Sequence, residues 1–392
     1  MNQVSACIVS QQYSQVLSGP GLYTRNLVHG LLARGHQVTL IVPNGAGVGC
    51  PAAVRLVEIG SRELARRKGG WVILALYFSR AVRKLIKKGR IDVVHFTDAK
   101  EAVFTVGLNG PVIGNVNDSY IAGRSTNPFN YRRSYPCDWL SRWAYQNFVF
   151  FLERHALRRL NLNLCNSLFT GEQIVAQYGV PREQVLTCYK SIHLKSYENA
   201  GLEVGSKRPK RVLFPGGGNA QRKGLVNLLK AMDSVLEKSP NIELVILGRD
   251  RVIPRLIRRY CSARVESRVK HISGVPNEKM KELLVTADCL VMPSLIEAFG
   301  VVYLEAMACG TPVIATTQGG AKEFINEGEN GLLVDPLSVR NLASAISSIL
   351  TDRSLRKSLS RNGKETVKRF STERMLSETI TAYSRVIVTR RP

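Results

Sequence analysis

The sharpest chemical signal in this sequence is a pair of carboxylates with a glycine between them, in Glu297-Ala298-Phe299-Gly300-Val301-Val302-Tyr303-Leu304-Glu305. A helix opening at Phe299 or Gly300 would leave its first backbone N–H groups without partners, and the helix dipole would strengthen their pull on an anion. Glu305 then falls just over one turn inside the helix, on the same face, while Glu297 stays in the loop before it. One ligand can therefore meet a carboxylate at each end and amides in its middle. A nucleoside diphosphate sugar has that layout, with ribose hydroxyls, phosphates and sugar hydroxyls in line. An acid ahead of a helix and a solvated Glu within it would give the same spacing with no ligand, so the pair needs support from elsewhere.

A second element supplies some. Gly216-Gly217-Gly218-Asn219-Ala220-Gln221-Arg222-Lys223-Gly224 directly follows the apolar run Val212–Phe214. Glycines at a strand end let the backbone approach an anionic ligand closely. Arg222 and Lys223 can offset the charge of a departing diphosphate. The alternative is a solvent-exposed turn with ordinary basic residues. Gly19-Pro20-Gly21, after the first strand, is a third candidate, although a plain strand-to-helix turn explains a lone G-x-G equally well. The sequence holds no Asp-x-Asp and no His/Cys cluster at ligand spacing, so neither a bound metal nor another cofactor is expected.

Pro293-Ser294, the nine-residue block and Ala306-Met307-Ala308-Cys309-Gly310-Thr311-Pro312-Val313-Ile314-Ala315 together resemble the donor-site signature of glycosyltransferase family 4, of the GT-B fold. Gly319-Gly320-Ala321-Lys322-Glu323 and Asn330-Gly331-Leu332-Leu333-Val334-Asp335-Pro336 look like that family's next stretch. The resemblance covers most of the second half and, more loosely, the first. It implies a retaining hexosyltransferase that needs no metal and uses a nucleotide-diphosphate sugar as donor. In the family the first glutamate contacts the donor sugar hydroxyls and the second holds the ribose, roles that would fall on Glu297 and Glu305. Backbone amides after Phe299, at Gly300, Val301 and Val302, would take the phosphates. The nucleotide base would rest on backbone near His271–Val275, which adds Val275 to the donor set. Gly19 and Gly21 look like the family's glycine loop near the donor phosphate and the acceptor.

The departures from the family pattern are specific. The family usually has an Arg a few residues before its Arg-Lys-Gly, and here that slot falls on Gly218 or Asn219, so Lys223 carries over and Arg222 less directly. Many members have a histidine near Asn115-Val116-Asn117-Asp118 that faces the donor sugar. This chain has Asn117 there, which can donate a hydrogen bond but cannot titrate. Asp118 is either an acceptor-side contact, grouped with Glu297 and Lys223 as catalytic candidates, or the cap of the next segment. Tyr189-Lys190-Ser191-Ile192-His193 stands where the family often ends in Gly-Ile-Asp. With no obvious nucleophile, retention implies front-side attack, in which the leaving phosphate accepts the acceptor's proton and the protein positions groups and stabilises charge.

The elements that must position these residues are read from apolar periodicity. At 392 residues, 44% hydrophobic, the chain is long enough for two domains. Strands are expected at Val4–Ser10, 38–42, 92–96, 112–116 and 162–165, then, after a linker at 207–210, at 211–214, 243–247, 269–272, 289–292, 312–315 and 331–334. Helices include one carrying Leu27, Val28, Leu31 and Leu32 on one face and ending at Gly35, and others near 225–237 and 338–350. Two such series read as an α/β chain of two doubly wound Rossmann-like domains facing a cleft. The expected boundaries are 1–205 for the acceptor-side domain and 206–370 for the donor-binding domain, with a closing helix in 371–392 crossing back to the first. His36 and His271 read as structural, and His95 as structural or functional.

Lys and Arg outnumber Asp and Glu by 55 to 30, a net charge of +25. Polyanions, an anionic membrane or a merely solvated basic face all fit that balance. Ten basic residues against one acid lie between Arg62 and Arg90. Leu74, Tyr77, Phe78, Ala81, Val82 and Leu85 recur there with helical period opposite Arg80, Arg83, Lys84, Lys87 and Lys88. That helix either lies on a membrane surface or packs on the first sheet with its basic residues in water. The basic and aromatic stretch from Tyr131 to Arg159 adds to the membrane reading. The amino terminus reads as a first strand, and the longest apolar runs fall far short of the ~18 residues needed to span a bilayer. Eight scattered cysteines without a CxxC pair suggest reduced thiols in a cytoplasmic protein, peripheral at most on the inner membrane face. The expected partners are a nucleotide-sugar donor and a glycan or lipid-linked acceptor of polysaccharide, lipopolysaccharide or glycolipid assembly. The competing readings are an epimerase of the same fold, a non-catalytic sugar-nucleotide sensor, and a nucleic-acid-binding protein. No groove-reading motif supports the last, and no nucleic acid is expected.

Overall fold

The computed structural model describes residues 3–13, 19–61, 63–64, 69–89, 91–105, 110–117, 139–197 and 208–388. Within them the chain divides into two compact units, one running to Lys190 and resuming at Glu373, the other spanning Ser191–Thr372.

The continuous apolar runs of the first half become parallel strands covered on both faces, as such runs require. They are β1 (Ser5–Val9), β2 (Gln37–Asn44), β3 (Arg55–Ser61), β4 (Val93–Phe96), β5 (Val112–Val116), β6 (Leu162–Cys165) and β7 (Val185–Thr187). They pair in the order β3-β2-β1-β4-β5-β6-β7, with Ala6 opposite both Val38 and Val93. The strand order reverses between β1 and β4, the place where sheets of this kind open a crevice at their carboxyl ends. Periodicity alone did not show β3 and β7, since both are edge strands, partly exposed and without an unbroken apolar run.

One face of this sheet is covered by the helix Gly19–Ala33, through Leu27, Val28 and Leu31, and by the closing helix Thr372–Val388, through Met375, Leu376, Ile380 and Tyr383. The closing helix therefore crosses back onto the first sheet. It approaches so near that a Cβ on Gly30 would lie 2.1 Å from Leu376 Cδ1. The other face is covered by the helix Gly70–Lys87, with Leu74, Phe78, Val82 and Leu85 buried against Cys7, Val9, Ile41 and Phe96. Tyr77, expected on that buried face, is instead 40% exposed, and Trp71 and Ala75 are buried. The buried stripe is rotated toward Trp71, Ala75 and Ser79, because the helix turns its Trp71 edge toward Val149 and Ala156 of the helix Trp139–Leu157.

The second sheet has β8 (Lys210–Gly217), β9 (Ile242–Gly248), β10 (Val269–Ile272), β11 (Cys289–Val291), β12 (Val313–Thr316) and β13 (Leu332–Val334), all parallel in the order β10-β9-β8-β11-β12-β13. Leu228, Leu229, Met232 and Val235 of the helix Leu225–Lys238 and Leu342, Ile346, Ile349 and Leu350 of the helix Val339–Thr351 are buried.

Two expectations need correction here. Gly19, Pro20 and Gly21 lie in the first turn of a helix and not in a loop before it; proline is tolerated there because its missing N–H would have no partner anyway. The expected linker is also more structured than its composition implies. Arg208 pairs with Asp288 at 2.8 Å, and Lys210 already belongs to β8.

His95 is structural. It is fully buried in β4, its Nε2 lies 3.0 Å from Asn115 Oδ1 and its Nδ1 2.8 Å from the Tyr383 hydroxyl. Since Oδ1 can only accept, Nε2 carries the proton and Nδ1 accepts from Tyr383. Burial lowers the imidazole pKa to about 4, so it stays neutral. His36 accepts from the Val4 amide, and His271 bonds the Gly248 carbonyl, so both also serve the scaffold. Tyr383→Phe leaves Nδ1 buried and unpaired, and should cost the first unit about 1–3 kcal/mol. The check is a lower urea midpoint with an unchanged slope; an unmoved midpoint would show that the bond does not hold the closing helix.

Candidate active site

The second sheet gathers the predicted donor residues at its carboxyl edge. β11 ends at Val291 and the chain runs through Pro293-Ser294 into the loop carrying Glu297, then into the helix Val301–Ala308. Gly300 is the residue before that helix, at φ 87°, and no side chain caps the amides that follow. A Cβ on Gly300 would lie 2.4 Å from the Tyr303 ring, so glycine is required for space as well as for conformation. The amides of Val301 and Val302 thus open the helix with neither an intrahelical acceptor nor a capping side chain.

Three contacts fix this helix start. The Tyr303 hydroxyl donates to the Met292 carbonyl at 2.6 Å, tying the first turn to the end of β11. The Phe299 ring is buried against Phe324 and Phe370, with centroids 4.9 and 5.8 Å away. Phe299 can therefore serve a ligand only through its backbone. Glu297 is held from the other side: its amide donates to Gln318, its carbonyl accepts from Gly320, and Ser294 donates to its carboxylate at 3.2 Å. A Cβ on Gly319 would lie 1.9 Å from the Glu297 carbonyl oxygen, so the loop reaches this position only because residue 319 is glycine.

The glycine-rich turn after β8 lies beside this loop. Gly224 adopts φ 86°, and a Cβ there would meet the Pro293 carbonyl oxygen at 2.0 Å. The Leu295 amide donates to the Arg222 carbonyl at 2.8 Å, joining the two segments. Asp250, after β9, accepts from the Ala220 amide, and the Lys223 ammonium donates to the Pro215 carbonyl at 3.2 Å. Gly218 and Asn219 are exposed, and Asn219 uses its side-chain oxygen on the Arg222 amide.

Glu305 is the electrostatically distinctive member. Burial pushes its carboxyl from 4.5 up to about 7, while a hydrogen bond from the Tyr197 hydroxyl and the charge of Lys223 oppose the shift. Tyr197 escaped the sequence reading because it lies far away in the chain, in a segment with no periodic or motif signal. Val275 follows β10, at the sheet's outer edge. Three strand spacings of ~4.8 Å separate it from β11, a reach of about 14 Å. Among the described residues nothing ties it to Glu297 or Glu305. Gly19 and Gly21 belong to the first unit, and Asp118 lies outside the described residues. No group of three or more His, Cys, Asp or Glu among the described residues could hold a metal ion.

The sequence profile of Glycosyltransferase Family 4 matches residues 17–195, and that of Glycosyl transferases group 1 matches residues 203–366. The chain belongs to glycosyltransferase family 4. Its relatives include the D-inositol 3-phosphate glycosyltransferase of Paenarthrobacter aurescens, 29% identical over 236 residues, covering 57% of each chain. The lipopolysaccharide core biosynthesis glycosyltransferase LpsE of Rhizobium meliloti is 31% identical over 219 residues, 55% of this chain and 62% of the relative. The chain thus matches little more than half the length of these curated relatives. In fold this family 4 chain is similar to the sucrose-phosphate synthase of Thermosynechococcus elongatus, with a TM-score of 0.77 over 98% of this chain and 100% of that one, at 21% identity.

The Glu305 carboxyl gives a directed test. Its folded pKa lies above its unfolded one, so between about 4.5 and 7 the unfolded chain has lost a proton that the folded chain keeps. This group therefore draws stability down as pH rises through that window and leaves it lower above 7. Glu305→Gln should remove that part of the slope, and Tyr197→Phe should push the carboxyl higher still. Urea unfolding measured from pH 4 to 8 reads the first, and carbon-13 NMR titration of the glutamate carboxyls reads the second; a normal Glu305 midpoint would refute the enclosure described here.

Proposed function

We propose that this chain transfers a hexose from a nucleotide-diphosphate sugar to a hydroxyl of a glycan or lipid-linked acceptor in polysaccharide, lipopolysaccharide or glycolipid assembly. In this reading the anomeric configuration is retained and neither a metal ion nor another cofactor takes part. The observation that carries it is the uncapped helix start at Gly300 with Glu297 before it, Glu305 inside it and Lys223 alongside. A diphosphate on the Val301 and Val302 amides meets donors already aimed at the charge it gains on leaving, which avoids reorganisation during the reaction. Ionised Glu305 accepts from the ribose hydroxyls, and Glu297 accepts from the hydroxyls of the transferred sugar and fixes its attitude. Lys223 supplies the positive charge that Gly218 and Asn219 lack. The acceptor hydroxyl attacks from the side the diphosphate leaves, and the departing phosphate oxygen takes its proton.

Glu297→Ala and Lys223→Ala should each lower kcat/KM by about 100-fold or more, the scale for losing one aligned electrostatic contact. Proton NMR of the first-formed product should show the donor's anomeric configuration, and chelator should leave the rate unchanged. An inverted product, or activity lost to chelator and restored by a divalent ion, would overturn the corresponding part of the reading. Isomerised donor without transfer would instead identify an epimerase.

The basic charge fits a membrane surface better than a nucleic acid. No described helix is long and apolar enough to cross a membrane. The helix Gly70–Lys87 nevertheless exposes Ile73, Leu76 and Tyr77 and then Arg80, Lys84 and Lys87 on the side away from the sheet. The helix Trp139–Leu157, joined to it by a bond from Trp71 to the Tyr145 hydroxyl, exposes Leu140, Phe148 and Phe151 and then Arg154. Apolar side chains beside a basic band suit the surface of an anionic bilayer. The LpsE relative supports an acceptor found there, and the placement proposed is cytoplasmic and peripheral on the inner face. The protein should float with vesicles containing anionic lipid but not with purely zwitterionic ones, and Phe148→Ser with Phe151→Ser should release it. Equal recovery with both vesicle types would sink the idea.

A further inference from the structure

The second unit has an open cavity of about 480 Å³ at the amino edge of its sheet, the edge opposite Gly300. Asp288, just before β11, and Pro312, just before β12, contribute to its floor, with Gly310 past the end of the helix Val301–Ala308. That helix is ~12 Å long, so the cavity is separate from the turn at its start. The helix Arg353–Val367 forms one wall. Gly310 adopts φ 77°, and a Cβ there would lie 2.7 Å from Lys364 Cε and 3.0 Å from Ser360 Oγ. Glycine at this position lets the wall helix bring both side chains to the floor.

The lining is one-sided in charge. Arg356, Lys357, Arg361 and Lys364 stand against a single acid, Asp288. That carboxylate is already used: it pairs with Arg208 at 2.8 Å and accepts from the Arg211 amide at 2.8 Å. The acids nearest in the wall helix are engaged elsewhere. Asp352 accepts from the Leu355 amide at the helix start, and Glu365 pairs with Lys368 at 2.6 Å. Among the described residues no carboxylate pairs with any of the four cations. Positions 357 and 361 are one helical turn apart, as are 361 and 364, so these like charges destabilise the wall helix until an anion lies between them.

We propose that this cavity binds a soluble polyphosphate, a run of two or more phosphate groups, free or on a small carrier, at a site distinct from the sugar nucleotide's. Arg356 to Lys364 span ~12 Å along the helix. A single phosphate reaches only part of that stripe, whereas linked phosphates meet several cations at once through charge-assisted hydrogen bonds. The Ser360 hydroxyl can donate to the same oxygens. The volume suits a compact anion. No exposed large hydrophobic side chain belongs to the lining, so nothing here inserts into a bilayer.

The test is calorimetric titration of the full chain with inorganic triphosphate and with orthophosphate. It is done in a Lys223→Ala background, which weakens anion binding at the donor turn. Triphosphate should bind at least about tenfold more tightly than orthophosphate. Adding Arg361→Gln with Lys364→Gln should weaken it by about tenfold or more, the scale of losing charge-assisted hydrogen bonds. The exchange Arg361→Lys with Lys364→Arg keeps the charge and should hold binding within about threefold, and an unchanged urea midpoint in both pairs shows that the fold is intact. Triphosphate binding that ignores the glutamine pair, orthophosphate binding equally well, or no binding at all overturns the proposal. So does a glutamine pair that releases the chain from anionic vesicles but leaves triphosphate bound, since the ligand would then be a lipid headgroup. Nucleotide sugars titrated into the glutamine pair with Lys223 intact should bind as to wild type. Their failure to bind wild type would sink the transferase reading and leave the triphosphate result standing.

Discussion

At Gly300 the backbone passes through φ 87°, and the helix beyond it begins with amides that no side chain caps. Leaving such amides open costs stability unless water or a ligand takes them, so the surrounding structure must hold the turn in place. Much of the second unit is arranged to do so. The Tyr303 hydroxyl pins the first turn to β11, the Phe299, Phe324 and Phe370 rings anchor the loop from within, and Gly319 lets a neighbouring segment bond the Glu297 backbone on both sides. Positioning here is done by glycines and aromatics that never need to touch a ligand.

What the sequence made legible follows from the same division. Buried parallel strands announce themselves as unbroken apolar runs, and β2, β5 and β9 stand close to where those runs put them. The edge strands β3 and β7 do not, because a strand with one free edge and exposed faces needs no such run. The Glu297 to Glu305 block was legible because conformation and chemistry are both local there: one glycine turns the chain and one helical turn carries the second acid into place. Gly19 and Gly21 misled for the complementary reason. A glycine pair flanking a proline looks like a turn, yet the same residues fit the first turn of a helix, where the proline loses no hydrogen bond.

The residues that escaped notice become distinctive only through tertiary contact. Tyr197 matters because it reaches a carboxyl more than a hundred positions away in the chain. Glu101 stands in Asp98-Ala99-Lys100-Glu101, which reads as a charged and solvated turn, and nothing local shows that the turn folds onto Gly114 and is buried. No periodicity encodes such burial, since it arises where three strand ends converge.

The distribution of charge links both units to one functional logic. A chain of net charge +25 attracts anions over most of its surface, so general attraction cannot tell one anion from another. Discrimination must come from enclosed places where local chemistry outweighs the distant field, which solvent and salt screen within about 10 Å. In the second unit that place offers amides and Lys223 between two carboxylates, an arrangement suited to a diphosphate flanked by hydroxyl-bearing rings. In the first unit a cavity beside the ends of β1, β4 and β5 instead gathers Asp98, Glu101 and Glu153 around one lysine that is already paired with Asp98. Within one basic chain the local chemistry of the two units therefore differs more than the net charge implies.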